Sequence, residues 1–484
     1  MDASATKRVA KNAFWLLLGS SISKLIEFIT IVYLARILTV SGFGLLSFAQ
    51  AILIYLLLLV DGGLSVLGIR ETAKSKENLA IVGINIFSLR IILALIVFIF
   101  SAIVLFSLKI SLELKLLLTF TFLLLFPRAI TSEWVFQGLE RMEYVGISKV
   151  LQQLFFFGLV LLVIKNVNNL LAVPLLQFSS SLATSFIFLF ILLRYFMPFS
   201  FKNLHSRDWF NYIMVAIPLG LSSVFIQIYY NLDVIMLGFM QRPEVVGWYN
   251  ASYKLFYVFL GTMGVFSAAV FPIVCKKFEE GKEKAQEFLE KYLRLMLLGT
   301  FPAVLLGLLC SESAIRLIYG SSYMPGLLAF KILLLNILVI AISGIYGTLV
   351  LIPSGKNKEF MYSVGIGALC NLILNFILIP PFSLVGAAVA TLLTEIIVVI
   401  SFFYLGGWKI GINWRKYIVK PALAGGVAFL ATYLILIILR FNDLLFFLSS
   451  ILMFSGIYAI IIASTSEITF LKEFISEIIR TTKP

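Results

Sequence analysis

Apolar residues fill most of this chain in stretches of twenty or more, and polar residues collect in short groups between them. A helix needs ~20 apolar residues to cross a bilayer. Fourteen stretches meet that length: 12–35, 43–67, 79–105, 114–136, 144–164, 170–193, 212–237, 245–274, 288–309, 323–352, 360–379, 384–405, 421–439 and 444–463. The pattern predicts an all-α polytopic membrane protein with about 14 transmembrane helices. The count turns on the narrow gaps after Ile164 and Ile379. Pro127, just before Arg128, marks a place where the fourth span breaks. The segment 276–294 is rich in Lys and Glu and predicts a charged helix extending out of the membrane. The first stretch is long and no small-residue cleavage site follows it, so it is expected to remain as the first span.

Composition supports the pattern. The chain of 484 residues is 61% hydrophobic and only 13% charged, whereas a soluble domain is about 25% charged. The net charge of +14 would suggest nucleic acid in a soluble protein. In a membrane protein the basic residues first set topology, because Lys and Arg collect in cytoplasmic loops. With the N-terminus inside, most loop cations fall on the inner side, notably Lys276, Lys277, Lys282, Lys284 and Lys291. Both termini are therefore expected in the cytoplasm, and the protein in the cytoplasmic membrane. Cys275, Cys310 and Cys370 are too widely spaced for a metal site or a disulfide framework, and the lone His205 sits in a polar stretch. No metal, cofactor or nucleic-acid partner is expected. Gly365 and Gly367 lie inside an apolar span with no strand before them, which argues against a nucleotide fingerprint.

A short echo divides the chain. Gly42-Phe43 with Ser47-Phe48 follows the first span, and Gly247-Trp248 with Ser252-Tyr253 follows the seventh. Six helices return the chain to its starting side, so two such halves are parallel repeats about an axis along the membrane normal. The expected organisation is an N-terminal lobe over 1–196, a C-terminal lobe over 197–406, and two further helices with a tail over 407–484.

Charged residues inside spans are costly, so they face a cavity or a partner. The basic candidates are Lys24, Arg90, Arg128, Lys254 and Lys331; the acidic ones are Glu27, Asp61, Asp233 and Glu395, with Glu133 beside them. Lys149, Arg294 and Lys420 lie near span ends, where long side chains reach the interface. Lys24 and Glu27 share a helix face, which fits either a local ion pair or the wall of a polar cavity. Lys254 has no acidic neighbour within four residues on its own helix; Asp233 is a candidate partner across helices, or a proton or sodium site. Glu395 stands in an apolar helix with Lys331 as one candidate partner. Gly386, Ala387, Ala388 and Ala390 point to close helix packing.

Five stretches together resemble a known family: Leu34-Ala35-Arg36 leading to Gly42-Phe43-Gly44; Asp61-Gly62-Gly63-Leu64-Ser65 with Arg70-Glu71; Asp233 through Gly247-Trp248-Tyr249 to Lys254; Tyr319-Gly320-Ser321-Ser322-Tyr323-Met324-Pro325; and Gly386-Ala387-Ala388 with Glu395. The chain resembles the polysaccharide-transport or O-antigen flippase-type proteins of the multidrug/oligosaccharidyl-lipid/polysaccharide exporter superfamily. The resemblance implies two six-helix lobes around a central cavity, with two extra helices at the C-terminus. It implies flipping of a polyprenyl-pyrophosphate-linked oligosaccharide by alternating access, with membrane lipids and glycan-assembly enzymes as partners. Similar lipid II flippases place cavity cations on the first and eighth helices, where Lys24 and Lys254 stand here, although lysine lacks the bidentate fork of the arginine common there. An H+ or Na+ gradient acting through Asp233, Glu27 or Asp61 is the candidate drive, since no nucleotide-binding domain is present. The alternatives are a multidrug or cation exporter of the same superfamily and a membrane glycan polymerase or ligase. The first would want a cavity dominated by acids and aromatics. The second would want a large external catalytic loop, whereas the longest external segment is 310–322. No enzymatic activity is expected.

Overall fold

A computed structural model describes residues 3–74, 79–196, 204–406, 414–439 and 441–482. Among these the chain is helical throughout, with no strands. In lipid every backbone polar group must be paired within its own segment, and the helix does that. Twelve helices are long and apolar enough to cross a membrane. One of them, Asn357–Leu405, holds two spans joined at Ser383, whose φ of 53° and ψ of −133° interrupt the helix two residues after Pro381, the second of a proline pair. Trp209–Met240 is a further helix of 32 residues. Counting both limbs of the bent helix and this one gives about the expected fourteen.

The chain forms two compact units, Met1–Gly238 and Phe239–Pro484. The expected divisions at 196/197 and 406/407 fall beside 197–203 and 407–413, which lie outside the described residues.

The first unit holds α1 (Ala3–Ile37), α2 (Val40–Asp61), α3 (Leu64–Lys74), α4 (Leu79–Ser107), α5 (Leu112–Phe122), α6 (Leu125–Ala129), α7 (Glu133–Gly138), α8 (Met142–Val163), α9 (Ala172–Tyr195) and α10 (Trp209–Met240). α1 packs mainly along α8. Gly19 and Gly146 make that approach possible, because a Cβ on Gly19 would lie 2.4 Å from the Gly146 Cα. The fourth span divides into α5, α6 and α7 around Pro127, as the proline predicts. The second span ends earlier than the apolar run suggested. α2 stops at Asp61, Gly62 caps it in the left-handed region with φ 49°, and Gly63 follows at φ 93°. A Cβ on Gly63 would lie 2.2 Å from the Ala216 carbonyl of α10, so both its dihedral and its surroundings demand glycine. The turn re-aims the chain into α3, a short amphipathic helix that packs on α4 and α7. Asn85, fully buried, accepts from the His205 backbone N–H at 2.9 Å and from Trp209 Nε1 at 3.0 Å, which fixes the entry to α10.

The second unit holds α11 (Pro243–Glu280), α12 (Lys282–Ile318), α13 (Leu327–Gly344), α14 (Asn357–Leu405), α15 (Trp414–Leu439), α16 (Asp443–Ala463) and α17 (Glu467–Thr482). The charged segment 276–294 is a hairpin rather than one helix: Gly281, at φ 128°, separates α11 from α12. The segment 310–322 is mostly the last turns of α12, followed by a 3-10 turn at Ser321–Gly326. Close packing at the small-residue run is evident in α14, where Ala387, Ala388 and Ala390 are fully buried and a Cβ on Gly386 would lie 2.1 Å from the Leu378 carbonyl. α17 was not expected, because the sequence there reads as a tail.

The two echo sequences make the same local bond. Ser47 Oγ donates to the Phe43 carbonyl at 2.7 Å in the opening turns of α2. Ser252 Oγ donates to the Trp248 carbonyl at 2.9 Å in the opening turns of α11, and reaches the Gly326 carbonyl at 3.0 Å.

Candidate functional site

The charged residues singled out in the spans separate into two groups. Arg90 of α4 is 6% exposed. Its Nε lies 3.5 Å from Asp61 Oδ1, and its Nη2 donates to the Arg128 carbonyl at 3.0 Å. Ser65, the second residue of α3, donates its hydroxyl to Asp61. The glycine turn at 62–63 sets this up, since it places the end of α2 and the start of α3 within reach of one α4 side chain. Burying an arginine is costly unless a counter-charge and hydrogen bonds accompany it. Asp61 supplies the charge, and the interrupted helix around Pro127 supplies the Arg128 carbonyl, which Arg90 shares with the Thr131 hydroxyl at 2.9 Å. Arg90 is thus ion-paired inside the first unit with one of its three nitrogens hydrogen-bonded among the described residues, and Glu133 at the start of α7 interacts with it electrostatically.

Other cations stand differently. Lys24 on α1 is exposed and makes no hydrogen bond or ion pair among the described residues, so no Lys24–Glu27 pair forms. The Arg128 and Lys331 side chains are half-buried and likewise form no ion pair among the described residues. Lys254, half-buried, lies on α11, three turns after the helix start at Pro243. Glu27 is half-buried, Asp233 of α10 is 1% exposed, and Glu395 of α14 is 4% exposed. Tyr55 of α2 is coupled electrostatically to Asp233 and donates to the Gln227 carbonyl at 3.4 Å.

A search for charge misses buried amides and hydroxyls. In the second unit Asn336, Asn371, Asn375 and Thr394 are buried to within 1% of complete. Asn375 Nδ2 donates to Asn371 Oδ1 at 3.0 Å, and the Tyr249 and Thr391 hydroxyls are 3.5 Å apart. These are buried polar groups in helices that are otherwise apolar. The signal available in the sequence was Asn371 and Asn375, one helical turn apart in a span.

A second missed group lies at the membrane edge. Glu467, 4% exposed, accepts from Arg294 Nε at 2.6 Å and from Lys420 Nζ at 3.1 Å. Arg294 also lies over the Phe470 ring, 3.9 Å from its centroid. Burial pushes the Glu467 carboxyl up, but the hydrogen bonds and charges of Arg294 and Lys420 outweigh it and hold the group below its ordinary value. Arg294 and Lys420, expected only to reach the interface, are the anchors of α17.

Comparison with known proteins places this arrangement. The chain is 24% identical over 399 residues to the putative O-antigen transporter of Escherichia coli strain K12, covering 80% of this chain and 94% of that one. Its fold is similar to that of lipid II flippase MurJ in an inward closed conformation, with TM-score 0.76, 17% identity, and 93% and 98% of the two chains covered. It is also similar to an inward-facing multidrug resistance MATE family transporter, with TM-score 0.67, 14% identity, and 83% and 99% covered. Residues 9–278 match the family described as polysaccharide biosynthesis protein, and the chain belongs to that family.

Proposed function

We propose that this protein is a flippase that carries a polyprenyl-pyrophosphate-linked oligosaccharide across the cytoplasmic membrane by alternating access. The observation that carries the reading is family membership joined to cations inside spans that form no ion pair among the described residues, Lys24 foremost, with Arg128 and Lys331. A diphosphate leaving water needs such cations, because a buried charge is tolerated only when paired. Lys24, Arg128 and Lys331 are the candidate headgroup contacts from that set, and Lys254 on α11 joins them on the resemblance to lipid II flippases alone. Arg90 is assigned to the frame of the first unit, since its charge is matched by Asp61. The lipid tail stays among the exposed apolar side chains, and no covalent step is needed. Both termini lie in the cytoplasm in this reading, and an ion gradient drives the cycle.

The test is flipping in proteoliposomes with lipid-linked oligosaccharides, measured beside protein abundance. The Lys24→Ala and Lys254→Ala double variant is expected to reconstitute normally and to lose transport. Normal transport by that variant overturns the assignment of these lysines.

A further inference from the structure

The first unit contains a cleft that the flippase reading does not use. Glu133, Gln152, Thr184 and Ser185 line it, together with Thr131, Ser132 and Ser148, and two Phe rings close it. Every polar side chain on the wall carries oxygen, and none carries a formal positive charge. Ser132, Ser148, Gln152, Thr184 and Ser185 are each at least nine-tenths buried.

The hydroxyl protons are already committed. Thr131 Oγ1 donates to the Arg128 carbonyl at 2.9 Å, and Ser148 Oγ to the Val145 carbonyl at 3.0 Å, with Glu133 Oε1 a longer second acceptor at 3.5 Å. Thr184 Oγ1 donates to the Ser180 carbonyl at 2.8 Å, and Ser185 Oγ to the Pro127 carbonyl at 3.0 Å. A hydroxyl has one proton and two lone pairs. Once its proton is spent on a carbonyl, only acceptor capacity faces the cleft. Ser132 is 2% exposed, and its Oγ has no hydrogen-bond partner among the described residues. A buried polar group in that condition asks for an ion or water.

Charge and size select the occupant. Among the three charged groups that interact there, Asp61, Glu133 and Arg90, one negative charge is in surplus. The innermost space admits about one water-sized body, too little for a sugar ring. Hard cations take oxygen ligands from carboxylates, hydroxyls and amide carbonyls. A single surplus charge suits a monovalent ion, whereas a divalent ion would want a second carboxylate. We propose that this cleft binds a small monovalent cation of the sodium class, with Glu133 as the charged ligand and Ser132, Ser148 and Gln152 as neutral ones. Any role of that ion in driving transport rests on the flippase reading; the binding itself does not.

The experiment uses the purified full-length chain in detergent, without lipid-linked glycan and without a gradient. Its thermal midpoint and 23Na NMR linewidth are followed as NaCl replaces choline chloride at constant ionic strength and pH. A saturable rise in midpoint with matching line broadening is expected, and Glu133→Gln is expected to remove both. Ser132→Ala and Gln152→Ala, which keep the charge, should raise the half-saturating concentration at least threefold; they carry the test if Glu133→Gln does not fold. Absence of a saturable sodium effect overturns the proposal. So does an effect that survives Glu133→Gln and Ser132→Ala unchanged, or one that acid alone reproduces without sodium. A failed flipping assay with intact sodium binding would sink the flippase reading and leave this site standing.

Discussion

Asp61 and Arg90 are 29 positions apart on different helices, and each alone reads as an expensive intramembrane charge. Together they form one unit: a buried guanidinium, its carboxylate at 3.5 Å, and a carbonyl from a broken helix. Removing one partner of a buried pair strands the other charge, at a cost of about 3–5 kcal/mol. Asp61 is 30% exposed on its side chain, so the low end of that range applies, about 3 kcal/mol. Asp61→Asn should lower the thermal midpoint and the membrane abundance, while the apolar double variant Asp61→Leu with Arg90→Met recovers both. A single variant as stable as the parent would show that the pair contributes nothing. Lys24 is the contrasting case. Its replacement by Ala should leave abundance unchanged, because removing a charge from a span eases insertion. Transport should fall at least tenfold, since an unmatched anion in a desolvated site costs ~2–5 kcal/mol and about 1.4 kcal/mol already gives that factor. Lys24→Arg should restore more activity than Lys24→Gln. The sequence supplied both residues as candidates. It had no means of separating a cation with a partner from one without, because pairing across helices leaves no trace in spacing.

Element boundaries follow the same division between what is local and what is not. Span length and apolar content are summed along the chain, so the helices were legible to within a few residues, and Pro127 announced its break. The end of the second span was not legible as apolarity: the run continues to Leu67, but the Gly62-Gly63 turn cuts it at Asp61. The cue lay in the glycine pair. α17 was missed for the opposite reason. Its pattern of Phe470, Leu471 and Phe474 has helical spacing, yet Lys472, Glu473 and Glu477 dilute it below any threshold for a span. Docking explains why it folds: Phe474 is buried against Phe288, ring centroids 5.4 Å apart, and Glu467 is held by two cations. Glu467 titrates below its ordinary value when folded. A lowered carboxyl pKa gives stability that is fully present above the unfolded value and is lost as pH falls through the folded one. α17 should therefore stay docked at neutral pH and loosen as the medium is acidified below about pH 4.5, the ordinary range of a glutamate. Hydrogen exchange across Glu467–Thr482 reads this directly. Glu467→Gln should bring the fast exchange to neutral pH; protection that is unchanged in this variant would mean that Phe470 and Phe474 hold the helix unaided.

At the scale of the whole molecule the open matter is the relation between the two halves. Gly42 and Gly247 stand at corresponding points of the sequence, and the serines five residues on, Ser47 and Ser252, make the same bond back to the aromatic residue after the glycine. A shared local bond at a shared register is what duplication of one six-helix unit would leave. Duplication with an even number of helices has a consequence for topology: the residues before the two motifs must lie on the same face of the membrane, whereas an inverted repeat would put them on opposite faces. The excess of basic residues in alternate loops predicts that this face is the outside. The measurement starts from a variant in which Cys275, Cys310 and Cys370 are replaced by Ser. Single cysteines are then placed by Ser41→Cys, Arg242→Cys and Lys282→Cys. The first two precede the motifs, and Lys282 opens α12 beyond the Gly281 turn. A membrane-impermeant maleimide added to intact cells should label the cysteines at 41 and 242 and spare the one at 282 until the membrane is permeabilised. Labelling of 41 and 242 from opposite faces would sink the parallel repeat. Labelling of both only after permeabilisation would keep the repeat and reverse the orientation, moving Lys276, Lys277, Lys282, Lys284 and Lys291 to the outer side, against the charge rule. The expected pattern requires that an even number of crossings separate Ser41 from Arg242 and that an odd number separate Arg242 from Lys282. Three side chains therefore test the helix count, the hand of the repeat and the direction of the loops together.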